Sequence, residues 1–356
     1  MGRYIRSIDV TTVITIILIG SVGLFLLLTT DTPLFFQQLT FLVVGFLLMV
    51  LLSNIDSLVL RWFAPFGYIL ANILLLFPFM SSAIRGAHRW VLIGGVQLQP
   101  SELVKPLLLL SYAYFIRTYP PKKFPIILFH VLLFLIPFFL VFSQPDLGSS
   151  IIYLAMWLSM MVFGGLPLPF VAMVFLICPL AVPLVWRMLA QYQKMRIMSF
   201  LNPTLDPEGV GYNALQSMIA VGSGMVFGRG LGLGTQSHLR FLPEYHTDFA
   251  FASLVEELGL GGGVFLLGLY GILLWKLILP YIRKVEEDAI QSLYTIGLFS
   301  LIACQVIVNV GMNMGIIPVT GITLPFVSYG GSSILGLMAS FGLLWGLRTN
   351  LKRPFS

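Results

Sequence analysis

The chain has 356 residues, 58% of them hydrophobic and only 10% charged, with a formal net charge of +6. A soluble domain keeps roughly a quarter of its residues charged, so this balance excludes a soluble globular enzyme and describes an integral membrane protein. The basic residues are scattered over loops rather than gathered in a stripe, which argues against nucleic acid as a partner and for anionic lipid or a phosphorylated ligand.

Apolar runs long enough to cross a hydrocarbon layer recur along the chain, whereas a membrane β-barrel would show short alternating segments. The pattern predicts an all-α fold of about ten transmembrane helices, at 10–28, 34–52, 57–79, 101–116, 125–142, 147–163, 170–185, 249–277, 289–310 and 328–347. The first run follows MGRYIRSID without a small-residue cleavage pattern and reads as a retained helix. Cys178 and Cys304 both lie in apolar runs without CxxC spacing, as expected of buried thiols rather than a disulfide or metal site. With no internal repeat and no appended soluble segment, residues 1–356 read as one polytopic membrane domain. More lysines and arginines fall on the N-terminal side of the membrane than on the other, which places both termini in the cytoplasm.

Between the seventh and eighth spans lies a long external loop, about 186–247, holding Arg187, Lys194, Arg196, Arg229 and Arg240. Long loops are partly exempt from the charge rule, so these cations either carry no message or meet an anionic ligand at the outer face. Its NP and DP turns suggest structure, with a short helix at about 212–221. The closely spaced glycines from Gly222 to Gly234 allow turns whose backbone N–H groups could face phosphate oxygens, or simply a flexible loop.

The loop ends in FLPEYHTDFAFASLVEELG, which sets Glu244, His246 and Asp248 ahead of the eighth span and Glu256 and Glu257 within it. Ionisable groups there carry a solvation cost and mark a site. Asp248 has two readings: an N-cap carboxylate, which would lower its pKa, or a general base toward a sugar hydroxyl. His246 beside Glu244 is weak evidence for metal. In QPSELVKP, Lys105 can pair with Glu102 at i, i+3, either as a self-neutralised couple or as a pair lining a cavity. Asp146, in QPDLGSS, either caps the sixth span or adds an acid to the outer cavity. Pro318, Gly321, Pro325, Gly330 and Gly331 break up any continuous helix over about 315–331, as in a re-entrant or irregular segment beside a cavity.

These features converge on the outer face, where nucleotide sugars and ATP are not normally available. The chain has no Walker motif, no serine–histidine arrangement and no zinc spacing, and glycosyl transfer from a polyprenyl pyrophosphate fits the inventory of acids, cations and apolar surface. A lipid transporter is the competing class; it would favour midplane charge and an internal repeat.

Taken together, GAHRW, QPSELVK, QPDLGSS, FLNPTLDPEGVGY, QSMIAVGSG, FLPEYHTDFAFASLVEELG and PVTGITLPFVSYGGSS resemble the SEDS (FtsW/RodA/SpoVE) family of bacterial peptidoglycan polymerases over nearly the whole length. GTQSHLRFLPEYHTDF is more similar to the RodA branch than to the FtsW branch. The resemblance implies polymerisation of lipid II into glycan strands at the outer face of the cytoplasmic membrane during elongation. It implies Asp248, the Asp of HTDF, as the catalytic base, and Glu102 and Lys105 as cavity residues. Arg196, backed by Lys194 and Arg240, is the expected pyrophosphate contact, with His246, Asp146, Ser328, Gly330 and Gly331 around the substrate. The implied partner is a class B penicillin-binding protein within the elongation machinery, and undecaprenyl pyrophosphate is the leaving lipid. No dedicated metal site is evident, though a divalent cation, magnesium or manganese, is compatible with the pyrophosphate. The alternatives are a lipid II flippase or a septal, FtsW-like polymerase.

Overall fold

The computed structural model of the chain describes residues 8–81, 89–189, 191–202, 209–283 and 288–348. Both termini, whose side of the membrane was inferred from charge, lie outside these residues.

Three apolar helices come first, α1 (Val10–Thr30), α2 (Thr32–Ser53) and α3 (Ser57–Met80). Each is opened by an aspartate: the side chains of Asp9, Asp31 and Asp56 accept hydrogen bonds from the N–H groups of Thr11, Leu34 and Leu58. Such caps satisfy donors that the helix itself leaves unpaired. A small antiparallel hairpin follows, β1 (Val91–Ile93) on β2 (Val96–Leu98), with Val91 opposite Leu98. It was not foreseen from the sequence, because each strand has only three residues. Gly94 and Gly95 turn it with φ of 58° and 84°, as a two-residue hairpin loop requires.

The expected fourth span is split at Val104 into α4 (Pro100–Leu103) and α5 (Lys105–Thr118). Pro106 has no N–H to give the Glu102 carbonyl. That carbonyl instead packs on Gly336, where an added Cβ would collide with it. Next come α6 (Phe124–Ser143), α7 (Leu147–Phe163, capped by Asp146) and α8 (Leu168–Met188). The long loop between α8 and α12 holds α9 (Gln191–Leu201), α10 (Val210–Ser223) and α11 (Thr235–His238). Of these, α10 is the helix expected at 212–221, and it packs on the bundle. The chain finishes with α12 (Ala250–Ile282), α13 (Ala289–Asn313, capped by Asp288) and α14 (Gly331–Arg348).

Each of the ten segments expected to cross the membrane contains a helix. Among the described residues, six helices (α1, α2, α3, α6, α12 and α13) are long and apolar enough to do so by length and composition. α14 is buried along almost its whole length, against α2, α3, α5 and α13. Small residues permit this: a Cβ on Gly342 would lie 2.7 Å from the Met49 carbonyl, and one on Gly346 2.9 Å from that of Leu52.

Two irregularities shape the polar end of the bundle. Between α13 and α14, residues 314–330 form no helix, and the segment is tied down by side chains: Gln38 Nε2 donates to the Ser328 carbonyl at 3.1 Å. The second irregularity is inside α12, where Gly259 (φ 70°, ψ −169°) breaks the helix. The broken ends are satisfied by the glycine-rich loop. Leu260 N–H donates to Met225 O at 2.8 Å, while Arg229 and Gly230 N–H groups donate to Glu256 O and Glu257 O at 2.9 and 3.1 Å. Orphaned backbone groups inside an apolar bundle need such partners.

Candidate active site

Asp248 lies one residue outside the start of α12, whose cap position is Phe249. Its side chain does not cap the helix, in contrast to one expectation from its position. The turn that holds it is closed by Phe249 N–H on Glu244 O at 3.2 Å. Its backbone is held from α13: Asn309 Nδ2 and Asn313 Nδ2 each donate to the Asp248 carbonyl at 3.0 Å.

The carboxylate faces the loop between α13 and α14 at Gly321, whose φ is 74°. A Cβ built on Gly321 would lie 3.4 Å from Asp248 Oδ2 and 4.0 Å from Arg196 Nη1, so the base candidate and the arginine of α9 meet at that glycine. Arg196 Nη1 also donates to Thr320 O at 3.1 Å. Among the described residues nothing donates a hydrogen bond to the Asp248 carboxylate. Burial, and then the neighbouring charge of Glu244, push its pKa up to about 6; Arg196 and Arg89 pull the other way, and Asp146 adds a smaller upward push. A half-buried carboxyl poised near neutrality is suited to taking a proton.

Asp146 takes the capping role, one of the two foreseen for it. Its Oδ1 caps α7 through Ser149 N–H at 3.1 Å, and its Oδ2 accepts from Gln99 Nε2 at 2.7 Å and Ser101 Oγ at 3.1 Å. Glu102, the residue after Ser101, and Lys105 form a buried ion pair at 2.5 Å. Glu102 Oε2 has no hydrogen-bond partner, so the pair is not fully self-satisfied.

Ser328 is a fastener, donating from Oγ to Thr247 O at 2.5 Å while accepting from Leu324 N–H at 2.8 Å. Together with Tyr329 N–H donating to His246 O at 2.7 Å, it laces the SYGG segment to the HTD segment. Gly330 N–H reaches Gln38 Oε1 at 3.4 Å, and Gly331 packs against the Phe41 ring. The His246 ring lies between Tyr245 and Tyr329. Lys194 is two residues from Arg196 on α9, a spacing that does not share a face. Arg240 is exposed and its charge acts on Tyr245.

The glycine-rich loop does not offer the N–H groups foreseen for phosphate in its Gly232–Ser237 part. Those of Gly232, Gln236 and Ser237 point at the carboxylates of Glu257 and Glu256. Among the described residues no group of three or more His, Cys, Asp or Glu side chains gathers to hold a metal ion. Elsewhere, an apolar groove of about 350 Å³ opens between α7, α12 and α13, lined by Phe163, Ile278, Phe299, Cys304 and Ile307. Reading the sequence missed Arg89, Asn309 and Asn313. Two amides at i, i+4 in an apolar helix were the available signal for the last two.

The helix ends that gather here, those of α2, α4, α7, α12, α13 and α14, make one polar end on an apolar bundle, the anatomy of an integral membrane protein. The chain belongs to the FtsW/RodA/SpoVE family, whose model, described as cell cycle protein, matches residues 3–353. It is 40% identical over 312 residues to the peptidoglycan glycosyltransferase MrdB of Escherichia coli K12, covering 86% of this chain and 84% of that one. It is 34% identical over 359 residues to the stage V sporulation protein E of Bacillus subtilis, covering 95% and 96%. Among solved structures it is similar to a chain from a peptidoglycan synthase complex that coordinates polymerization and crosslinking (TM-score 0.83, 30% identity, 97% and 99% covered). It is also similar to the rod shape-determining protein RodA of Thermus thermophilus (TM-score 0.73, 29% identity, 97% and 98% covered).

Proposed function

We propose that this bacterial membrane protein, a peptidoglycan glycosyltransferase, polymerises lipid II at the outer face of the cytoplasmic membrane, with Asp248 as its general base. The observation that carries the proposal is the Asp248 carboxylate itself: among the described residues it has no hydrogen-bond donor, its pKa is pushed up to about 6, and it faces Arg196 across Gly321. Asp248 takes the proton of the acceptor's GlcNAc 4-hydroxyl as that oxygen attacks the anomeric carbon of the growing chain. The bond from that carbon to the pyrophosphate oxygen breaks, and undecaprenyl pyrophosphate leaves with the electron pair. Arg196 and Arg89, the cations whose charge reaches Asp248, are placed to offset the leaving group's charge. A magnesium or manganese ion on the pyrophosphate would add to that neutralisation.

A class B penicillin-binding protein is the proposed partner, supported by the likeness to a synthase complex. Lateral-wall elongation is the proposed setting, supported by the RodA-like GTQSHLRFLPEYHTDF segment. The test is polymerisation of labelled lipid II by the purified chain with its partner, the transpeptidase being blocked by a β-lactam. Long strands from the wild type and none from folded Asp248→Ala are expected. Equal polymer from both would remove Asp248 from the chemistry, and none from either would favour a flippase.

A further inference from the structure

The carbonyl of Asp248 and the first turn of α12 are held by two buried asparagines of α13. Asn313 Nδ2 donates to Asp248 O at 3.0 Å and to Asn309 O at 2.8 Å, and its Oδ1 accepts from Ala252 N–H at 3.0 Å. Asn309 Nδ2 donates to Asp248 O at 3.0 Å and to Ile322 O at 2.7 Å, tying in the loop that carries Gly321. Both side chains are fully buried. The amide orientations follow from chemistry, because a flipped Asn313 would set its oxygen against a carbonyl and its NH₂ against an N–H.

Ala252 is the third residue of α12, and its N–H is one of the donors a helix leaves unpaired. An aspartate immediately ahead of a helix ordinarily takes such a donor. Here Asn313 takes it from another helix. We infer that Asn313 and Asn309 are positioning residues: by capping α12 and gripping the Asp248 carbonyl, they keep the Asp248 carboxylate off the helix N-terminus and turned toward Gly321 and Arg196. The inference rests on the reading of Asp248 as the base.

Without Asn313, the Ala252 N–H loses its acceptor and becomes available to the Asp248 carboxylate. A hydrogen bond from it, and the positive end of the helix, would draw the carboxylate's pKa down. The other charges that face it, Glu244 on its own segment, Arg196 on α9, Arg89 ahead of β1 and Asp146 at the start of α7, are unchanged by the substitution.

The experiment measures lipid II polymerisation against pH for the full chain with its partner, in wild type, Asn313→Ala, Asn309→Ala and Asp248→Asn, each checked for folding by thermal melting. For Asn313→Ala the expected result is a fall in kcat of about tenfold to a hundredfold, the scale of a misplaced catalytic group. KM should stay unchanged, and the acid limb of the rate profile should move to lower pH. Asn309→Ala, which leaves the Asn313 cap, should lose several-fold in kcat with the limb unmoved. It decides the matter alone if Asn313→Ala does not fold: full kcat in folded Asn309→Ala then overturns the inference. A folded Asn313→Ala with wild-type kcat and acid limb also overturns it, whereas full activity in Asp248→Asn overturns the general-base reading instead.

Discussion

Asp248 and the pair Glu256–Glu257 stand within three turns of one another on the same segment, yet the fold treats them in opposite ways. Glu256 accepts from Gln236 N–H at 2.9 Å, Ser237 N–H at 3.3 Å, and the hydroxyls of Ser237 and Thr235, both at 3.2 Å. Glu257 accepts from Gly232 N–H at 3.2 Å and meets His238 Nε2 at 3.0 Å. Both glutamates are buried and surrounded by donors, so they act as rivets holding the glycine-rich loop over the break in α12. Among the described residues Asp248 has no such donors, and it has a second carboxylate, Glu244, among its neighbours. The other described aspartates, Asp9, Asp31, Asp56, Asp146 and Asp288, each cap a helix. An acid left without donors where the chain elsewhere supplies them is held at a cost in stability, as expected of a group kept for chemistry.

Asp248→Asn breaks the comparison at its strongest point. Loss of a general base lowers kcat by about 10²–10⁴. The same change should leave thermal stability equal or raised. The sign follows from the pKa: a carboxyl whose folded pKa lies above its unfolded value favours folding below the unfolded value, and that contribution is lost as pH rises through about 6. At neutral pH the charged Asp248 therefore disfavours the fold, and neutral asparagine removes that cost. A variant that melts well below the wild type would put Asp248 among the rivets.

Glu256→Gln is the mirror experiment. It leaves the acceptor oxygen but turns an NH₂ toward donors that have no use for it, and removes a buried charge they stabilise. A loss of about 3 kcal/mol is expected. Polymerisation should fall only in proportion to the folded fraction, and the pH profile of the remaining activity should match the wild type. A specific activity lowered by more than tenfold in folded protein would place Glu256 in the reaction.

The profile itself is the next test. With Asp248 as base, the rate should fall about tenfold per unit below about pH 6 and level off above it. A plateau extending unbroken to pH 4.5 would mean that the Asp248 carboxylate is stabilised as an ion.

Much of this was legible in the residues, for identifiable reasons. Long apolar runs locate helices, and Pro318, Gly321 and Pro325 announce the irregular segment before α14. Asp248 stands out because ionisable groups are rare in so apolar a chain. The two readings of Asp248 could not be separated because Ala252 is satisfied by Asn313, 61 residues away, and no local pattern reports such a partner. The break at Gly259 was hidden among Gly261, Gly262 and Gly263, any of which could take a left-handed conformation. The glycine-rich loop was open to a phosphate-facing or a flexible reading; Gly232 N–H instead meets Glu257 of α12, and only tertiary structure brings the two together. Three-residue strands and the short amphipathic α9 fall below the length at which periodicity identifies an element.

The smallest expected effect sharpens the account of the rivets. Thr29 Oγ1 lies 3.4 Å from Glu257 Oε2 but 2.9 Å from the Leu26 carbonyl, and the hydroxyl has one proton to share between them. The shorter contact takes most of it, so Glu257 is held chiefly by Gly232 and His238. Thr29→Val keeps the shape of the side chain and should cost no more than about 0.5–1 kcal/mol in thermal stability, with no change in polymerisation. A loss as large as that of Glu256→Gln would mean that the α1 contact is the principal clamp on Glu257, and that the loop is riveted to the start of the bundle as firmly as to α12.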